Sequence, residues 1–282
     1  MVQKGEIAFA GTLVVILALF HAIQWPFSCT HIHEDQEGIA TAHAVEHEHT
    51  AEAIRDRLAA EPPQSYLRDV VYGGIDGVIS TFAIVSGVAG AHLAPGIVSI
   101  LGGASLIADG FAMAAGNYLA TTAERDEFRH AESVEHRHID TFPEGEQEEV
   151  REILRRIGIP ADLVDKAAAS ITADRDRWVR IMVRDEYGLP TTVRSPSRAA
   201  SATFFAFLIC GIVPLLPFIA GLGGSFWIAA GAAGVVFVSI GALKSRWSVR
   251  PWWQSGLMTL AVGGGAAGLA FAVGYWLRRL AG

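Results

Sequence analysis

The stretch VVYGGIDGVISTFAIVSGVAGAH, Val70 to His92, decides the reading of this chain. It is long and apolar enough to cross a bilayer, for which about 20 mostly apolar residues suffice. It nevertheless carries Asp76 and follows directly on Asp69. These two acids are seven residues apart, two helical turns, and so share one face. A second apolar run over 96–121 carries Asp109, and Lys and Arg are absent from Asp69 to Thr121. A carboxylate at membrane depth costs about 2.5–3.5 kcal/mol on insertion scales. Such a group faces a cavity, a partner or a passing ion. Asp109, Met113 and Asn117 recur every four residues and form a second polar or soft stripe. Two acidic helices with a thioether between the carboxylates suggest a path for a divalent cation. The thioether favours a transition metal over calcium or magnesium.

The rest of the chain agrees with a membrane protein. Of its 282 residues 51% are hydrophobic, and the mean hydropathy is +0.34, too apolar for an ordinary soluble domain. Further spans are predicted at 200–221, 225–243 and 252–277, the first of them kinked by Pro214 and Pro217. Segment 7–20 is a shorter sixth candidate, reaching to residue 27. The fold class is therefore all-α and polytopic, with five transmembrane helices, a sixth candidate at the N-terminus, and a small helical domain inserted between the second and third. The domain limits are 1–64, 65–121, 122–198 and 199–282.

Charge sets the topology. Arg55, Arg57 and Arg68, the arginines of 122–198, and Lys244, Arg246 and Arg250 mark three connections as cytosolic, against Arg278 and Arg279 at the far end. Within the insert, 122–138 continues the second span as a helix until Phe142-Pro143. Helices follow over Glu144–Ile157, Ala161–Ile171 and Asp174–Tyr187, with Gly158, Pro160 and Gly188 as breaks.

The insert holds most of the ligand chemistry. Its first helix bears Glu124, Glu127, Glu132, Glu135 and His138; the next carries Glu149 and Glu152, and the last Met182 and Glu186. Pairs spaced by three or four present two ligands on one side of a helix, as in iron and manganese bundles. The bland alternative is a solvated face neutralised by Arg125, Arg129, Arg137 and Arg151. Met182 alone reads as a core gap-filler before it reads as a ligand. Residues 29–49 gather Cys29, His31, His33, His43, His47 and His49, a labile metal-collecting tract or an idle linker. His92, at a membrane edge beside Pro95, reads as structural or interfacial.

Several classes are excluded. There is no basic patch with interleaved aromatics for nucleic acid. There is no P-loop, Rossmann pattern or nucleophile elbow, so transport would draw on a gradient and the chain is not expected to be an enzyme. A ferroxidase would need paired Glu-x-x-His motifs on facing helices, and Glu135 with His138 supplies one of them. A membrane-anchored metal sensor or buffer without transport is the remaining alternative. No bound cofactor is expected; Fe2+ or Mn2+ would be the transported substrate.

The run Leu67-Arg68-Asp69-Val70-Val71-Tyr72-Gly73-Gly74-Ile75-Asp76-Gly77 resembles the first-helix motif of the vacuolar iron transporter family. Ala108-Asp109-Gly110-Phe111-Ala112-Met113-Ala114-Ala115-Gly116-Asn117-Tyr118-Leu119 is similar to its second helix, and Gly211-Ile212-Val213-Pro214-Leu215-Leu216-Pro217-Phe218 to its third. The resemblance covers 65–277. It implies a five-helix homodimer that exports ferrous iron from the cytosol in exchange for protons, along a pathway at the dimer interface. Asp76 and Met113 match metal-contacting positions, and Asp69 an acid near the cytosolic mouth. Glu135, Glu149, Glu152, Met182 and Glu186 match cytosolic metal-binding positions. Three residues depart: Ser105 stands where some members carry Glu, His138 in place of a Glu, and Val183 where a second Met occurs. Manganese thereby becomes a competitor to iron. A bacterial plasma membrane is the expected location.

Overall fold

The computed structural model of the chain describes residues 50–59, 64–190, 192–222, 225–245, 247–248 and 250–281. The candidate span at 7–27 and the His-rich tract 31–49 lie outside the described residues. Among the described residues all regular structure is helical. In chain order the helices are α1 (Ala51–Ala59), α2 (Leu67–Gly90), α3 (Pro95–Thr141), α4 (Pro143–Arg156), α5 (Ala161–Thr172), α6 (Arg175–Asp185) and α7 (Pro196–Ile212). A 3-10 turn, Val213–Leu215, leads into the short α8 (Leu216–Ile219), then α9 (Ser225–Ser245) and α10 (Trp252–Ala281). Five helices are long and apolar enough to cross a membrane: α2, α3, the α7–α8 run Pro196–Ile219, α9 and α10. The kink expected at Pro214 and Pro217 is the 3-10 turn, because proline removes an amide donor and crowds the preceding turn.

The described residues divide into two compact units, one within 1–110 and 205–282, the other within 111–204. In the first, α2 packs on α9 and α10, and α9 on α10, around Val78, Val85, Phe207, Ala233 and Phe237. The helices approach through glycines. A Cβ on Gly77 would overlap the Phe207 carbonyl of α7, and one on Gly211 would lie 2.8 Å from the Gly77 oxygen. α2 ends in a left-handed residue, His92 (φ 52°), with the Leu93 N–H returning 3.1 Å to the Val88 carbonyl. This helix stop, usually glycine's task, gives His92 a structural role.

In the second unit α4, α5 and α6 close around Val150, Ile153, Leu154, Val164, Trp178, Val179, Met182 and Val183, joined by Ala131 and Ile139 of α3. α4 starts on Pro143 with Glu144 and Glu146 in its first turn and ends with Arg155 and Arg156, each matched to the helix dipole. Gly158 (φ 92°) stops it. Asp174 caps α6, accepting the Arg177 N–H at 3.0 Å.

Candidate metal centre

The membrane acids of the first unit differ in setting. Asp69 is buried in the first turn of α2, where a negative charge suits the helix dipole. Asp76 is half-buried two turns on. Asp109 of α3 is exposed, with one oxygen accepting from the Ser105 hydroxyl, and it lies within electrostatic reach of Asp76. Ser105 thus tethers the acid one turn along its own helix.

Met113 follows Asp109 by one turn of α3 and is half-buried. Within the second unit Asn117 is a strut between two apolar helices. Its Nδ2 donates to Thr203 Oγ1 at 2.7 Å and to the Ala199 carbonyl at 3.2 Å. The stripe Asp109, Met113, Asn117 therefore ends in a packing contact.

The second unit holds a compact ligand cluster. Ligand atoms of Glu135, His138 and Glu146 all lie within 4.8 Å of one another. His138 Nδ1 is 3.3 Å from Glu146 Oε1 and 3.8 Å from Glu135 Oε1. The Glu135 side chain is fully buried and that of Glu146 is 6% exposed. Glu135 Oε1 accepts from Tyr187 Oη at 3.0 Å. The second oxygens, Glu135 Oε2 and Glu146 Oε2, are buried without a hydrogen-bond partner.

Electrostatics reinforce this picture. Burial, followed by the charges of Glu135, Glu149 and Glu186, pushes the Glu146 carboxyl up to about 7. Burial and the charges of Glu135 and Glu149 raise Glu186, which His138 partly offsets. Burial and its bond to Glu135 raise the Tyr187 phenol. Among the described residues no Lys or Arg pairs with Glu135 or Glu146. The arginines serve outward acids instead: Arg151 holds Glu148 and Asp165, Arg155 holds Glu148 and Glu152, and Arg175 holds Asp140. Burying an unpaired carboxylate costs several kcal/mol. Two side by side are stable only when a proton or a cation neutralises them, and a divalent cation held by the cluster would neutralise both.

The remaining expected ligands fall as follows. Glu149 and Glu186, in electrostatic reach of the pair, line a cavity of about 230 Å³ with Glu152, Ile153, Arg156 and Asp185. Glu152 lines that cavity too, but its carboxylate is bound by Arg155 at 2.9 Å. Met182 is fully buried in the apolar core. Glu132 is half-buried and outside the three-residue cluster. Sequence reasoning passed over Glu146 and Tyr187. Glu146 does have a signal, since it precedes Val150 by four and Ile153 by seven and so lies on the core-facing stripe of α4.

Comparison with known proteins gives a consistent answer. The model of the VIT family matches residues 67–275. The chain is 28% identical to "Vacuolar iron transporter 2" of Oryza sativa subsp. japonica over 73% of its own length and 85% of that protein. It is 29% identical to "Vacuolar iron transporter" of Toxoplasma gondii over 77% and 76% of the two chains. With "Vacuolar iron transporter 1" of Arabidopsis thaliana the identity is 32% over 54% and 61%.

Proposed function

The chain belongs to the VIT family, and on that premise we propose that it carries divalent metal ions, iron or manganese, out of the cytosol in exchange for protons. The observation that carries this reading is the placement of Asp76 and Asp109 on apolar membrane-length helices, within electrostatic reach of each other. A helix that only anchored a domain would have no use for either acid.

In this reading the second unit faces the cytosol, as its arginines suggest. Its carboxylates and His138 gather the cation. Asp69 and Asp76 receive it, and Met113, one turn of α3 past Asp109, offers a soft ligand. A proton taken up by Asp76 from the far side weakens the metal's hold and releases it, so one ligand set serves both ions in turn. The working form is a homodimer, because Asp109 faces outward from a single chain. The membrane we expect is a bacterial plasma membrane, given the compact five-helix build, whereas the relatives' names assign theirs to vacuoles.

The test is flux into proteoliposomes of Fe2+ against Mn2+, with an imposed pH gradient and an internal pH dye. Metal entry coupled to proton movement, abolished in Asp76→Asn, is expected. Wild-type flux in Asp76→Asn would remove the pathway. A second reading, a membrane-anchored metal sensor or buffer, is favoured by one observation: the Glu135–His138–Glu146 cluster lies wholly within the second unit. Metal bound without entry would decide for it.

A further inference from the structure

We propose that His138 is the selectivity element of the Glu135–His138–Glu146 cluster: its Nδ1 binds the cation directly and biases the site toward Fe2+, Co2+ and Zn2+ and away from Mn2+, Mg2+ and Ca2+. The inference rests on the reading of this cluster as a cation site and names which cations it takes.

The geometry places the imidazole inside the ligand set. His138 Nδ1 faces both carboxylates, at 3.3 Å and 3.8 Å. Two ligands bound at about 2.0–2.1 Å and set at a tetrahedral angle lie about 3.3 Å apart. The His138–Glu146 spacing therefore suits one small cation held by both. The His138 side chain is 44% exposed, so Nε2 can keep its proton and give it to water while Nδ1 offers its lone pair. That is the tautomer a metal needs.

The burial of the carboxylates is an independent observation. Glu135 and Glu146 each bury an oxygen that no hydrogen bond satisfies. Tyr187 donates to Glu135 Oε1 at 3.0 Å, so the oxygen of that residue left without a partner is Oε2.

Donor chemistry then discriminates among cations. Ca2+ takes six to eight oxygens at longer range, and Mg2+ keeps several of its waters. Two carboxylates and an imidazole supply too few oxygens for Ca2+, and a nitrogen ligand is a poor match for Mg2+. Imidazole nitrogen suits iron and zinc, whereas carboxylate, carbonyl and water suit manganese and magnesium. At a mixed nitrogen and oxygen site, affinity rises from Mn2+ through Fe2+ and Co2+. With Glu at position 138 the set would be all oxygen and that slope shallower, so this departure from Glu tells against manganese, the reverse of the expectation drawn from the three departures together.

The test uses the full chain in detergent, with Mn2+ and Zn2+ as probes, comparing wild type, His138→Glu and His138→Gln. Competition titrations are expected to show a Zn2+ preference over Mn2+ that falls at least tenfold in His138→Glu. Pulsed EPR of bound Mn2+ or Cu2+ should show a coupled imidazole nitrogen in wild type that is lost in both variants. The second variant covers a misfolded first one, and the nitrogen signal is one a structural histidine would not give. Metal bound by wild type with no nitrogen coupling, or an unchanged Zn2+ to Mn2+ ratio in His138→Glu, overturns the inference and leaves the cation site standing. No metal bound by wild type, or binding unaffected by Glu135→Gln, overturns both.

Discussion

Glu146 carries the clearest consequence at the scale of single residues. Its carboxyl stands at about 7 in the folded chain against an ordinary 4.5. The folded protein therefore keeps a proton that the unfolded chain gives up between those values. Stability is undiminished below about pH 4.5, falls as pH rises toward 7, and stays reduced above it. We expect metal-free protein to exchange the amide hydrogens of α4 faster at pH 8 than at pH 5.5, after correction for intrinsic rates. Added Zn2+ should reverse the difference at pH 8. Glu146→Gln removes the buried charge: α4 should then gain on the order of 1–3 kcal/mol of protection at pH 8 and lose its response to metal. Equal metal response in variant and wild type would show that Glu146 is not a ligand. Spacing pointed to Glu135 and His138 directly. Glu146 sits in the acidic run Glu144–Glu149, where composition cannot say which acid turns inward; packing of Val150 and Ile153 decides that. Glu152 shows the converse, a well-spaced acid that an arginine neutralises.

At the scale of elements, apolar length marked the spans and proline marked the joint between α7 and α8. The glycines that permit close packing were less legible. The clusters Gly102-Gly103-Ala104 and Gly263-Gly264-Gly265 look uniform in sequence. In the fold a Cβ on Gly263 would strike the Phe237 ring and one on Gly102 would lie 3.2 Å from Leu215 Cδ1, while Gly103, Gly264 and Gly265 have open space. Which glycine faces a neighbour depends on helix rotation, and a nearly uniform apolar run does not record it. Gly77→Ala would push α2 off the Phe207 backbone, which cannot yield as a side chain can. We expect a loss of roughly 1–3 kcal/mol of stability and impaired flux. Gly103→Ala, with nothing within 4 Å of its Cβ, should leave melting and flux unchanged. If Gly77→Ala melts and transports like Gly103→Ala, the close approach of α2 and α7 is not required.

At the scale of the whole molecule the question is what covers α3. Asp109 is exposed there, between Ile107 at 57% and Phe111 at 68% exposure. Ser105 satisfies only one of its oxygens. Hydrocarbon can cover the two apolar side chains but not the carboxylate, which would cost about 2.5–3.5 kcal/mol at mid-membrane. The proposed homodimer would resolve this, since a two-fold axis along the helix would bring the same stripe from each chain together and enclose a polar path between them. Residues near such an axis meet their own counterparts. In a Cys29→Ser, Cys210→Ala background, Ala108→Cys and Ala112→Cys should therefore cross-link to a dimer in native membranes under mild oxidation. Leu269→Cys, on an equally exposed stretch of α10, should not. Divalent metal should change the cross-linking rate in wild type at position 109 and leave it unchanged in Asp109→Asn, because only an ionised carboxylate can draw a cation to that stripe. Cross-linking from α10 with none from α3 would move the interface and leave Asp109 without a partner, and the proposed pathway between copies would have to be abandoned.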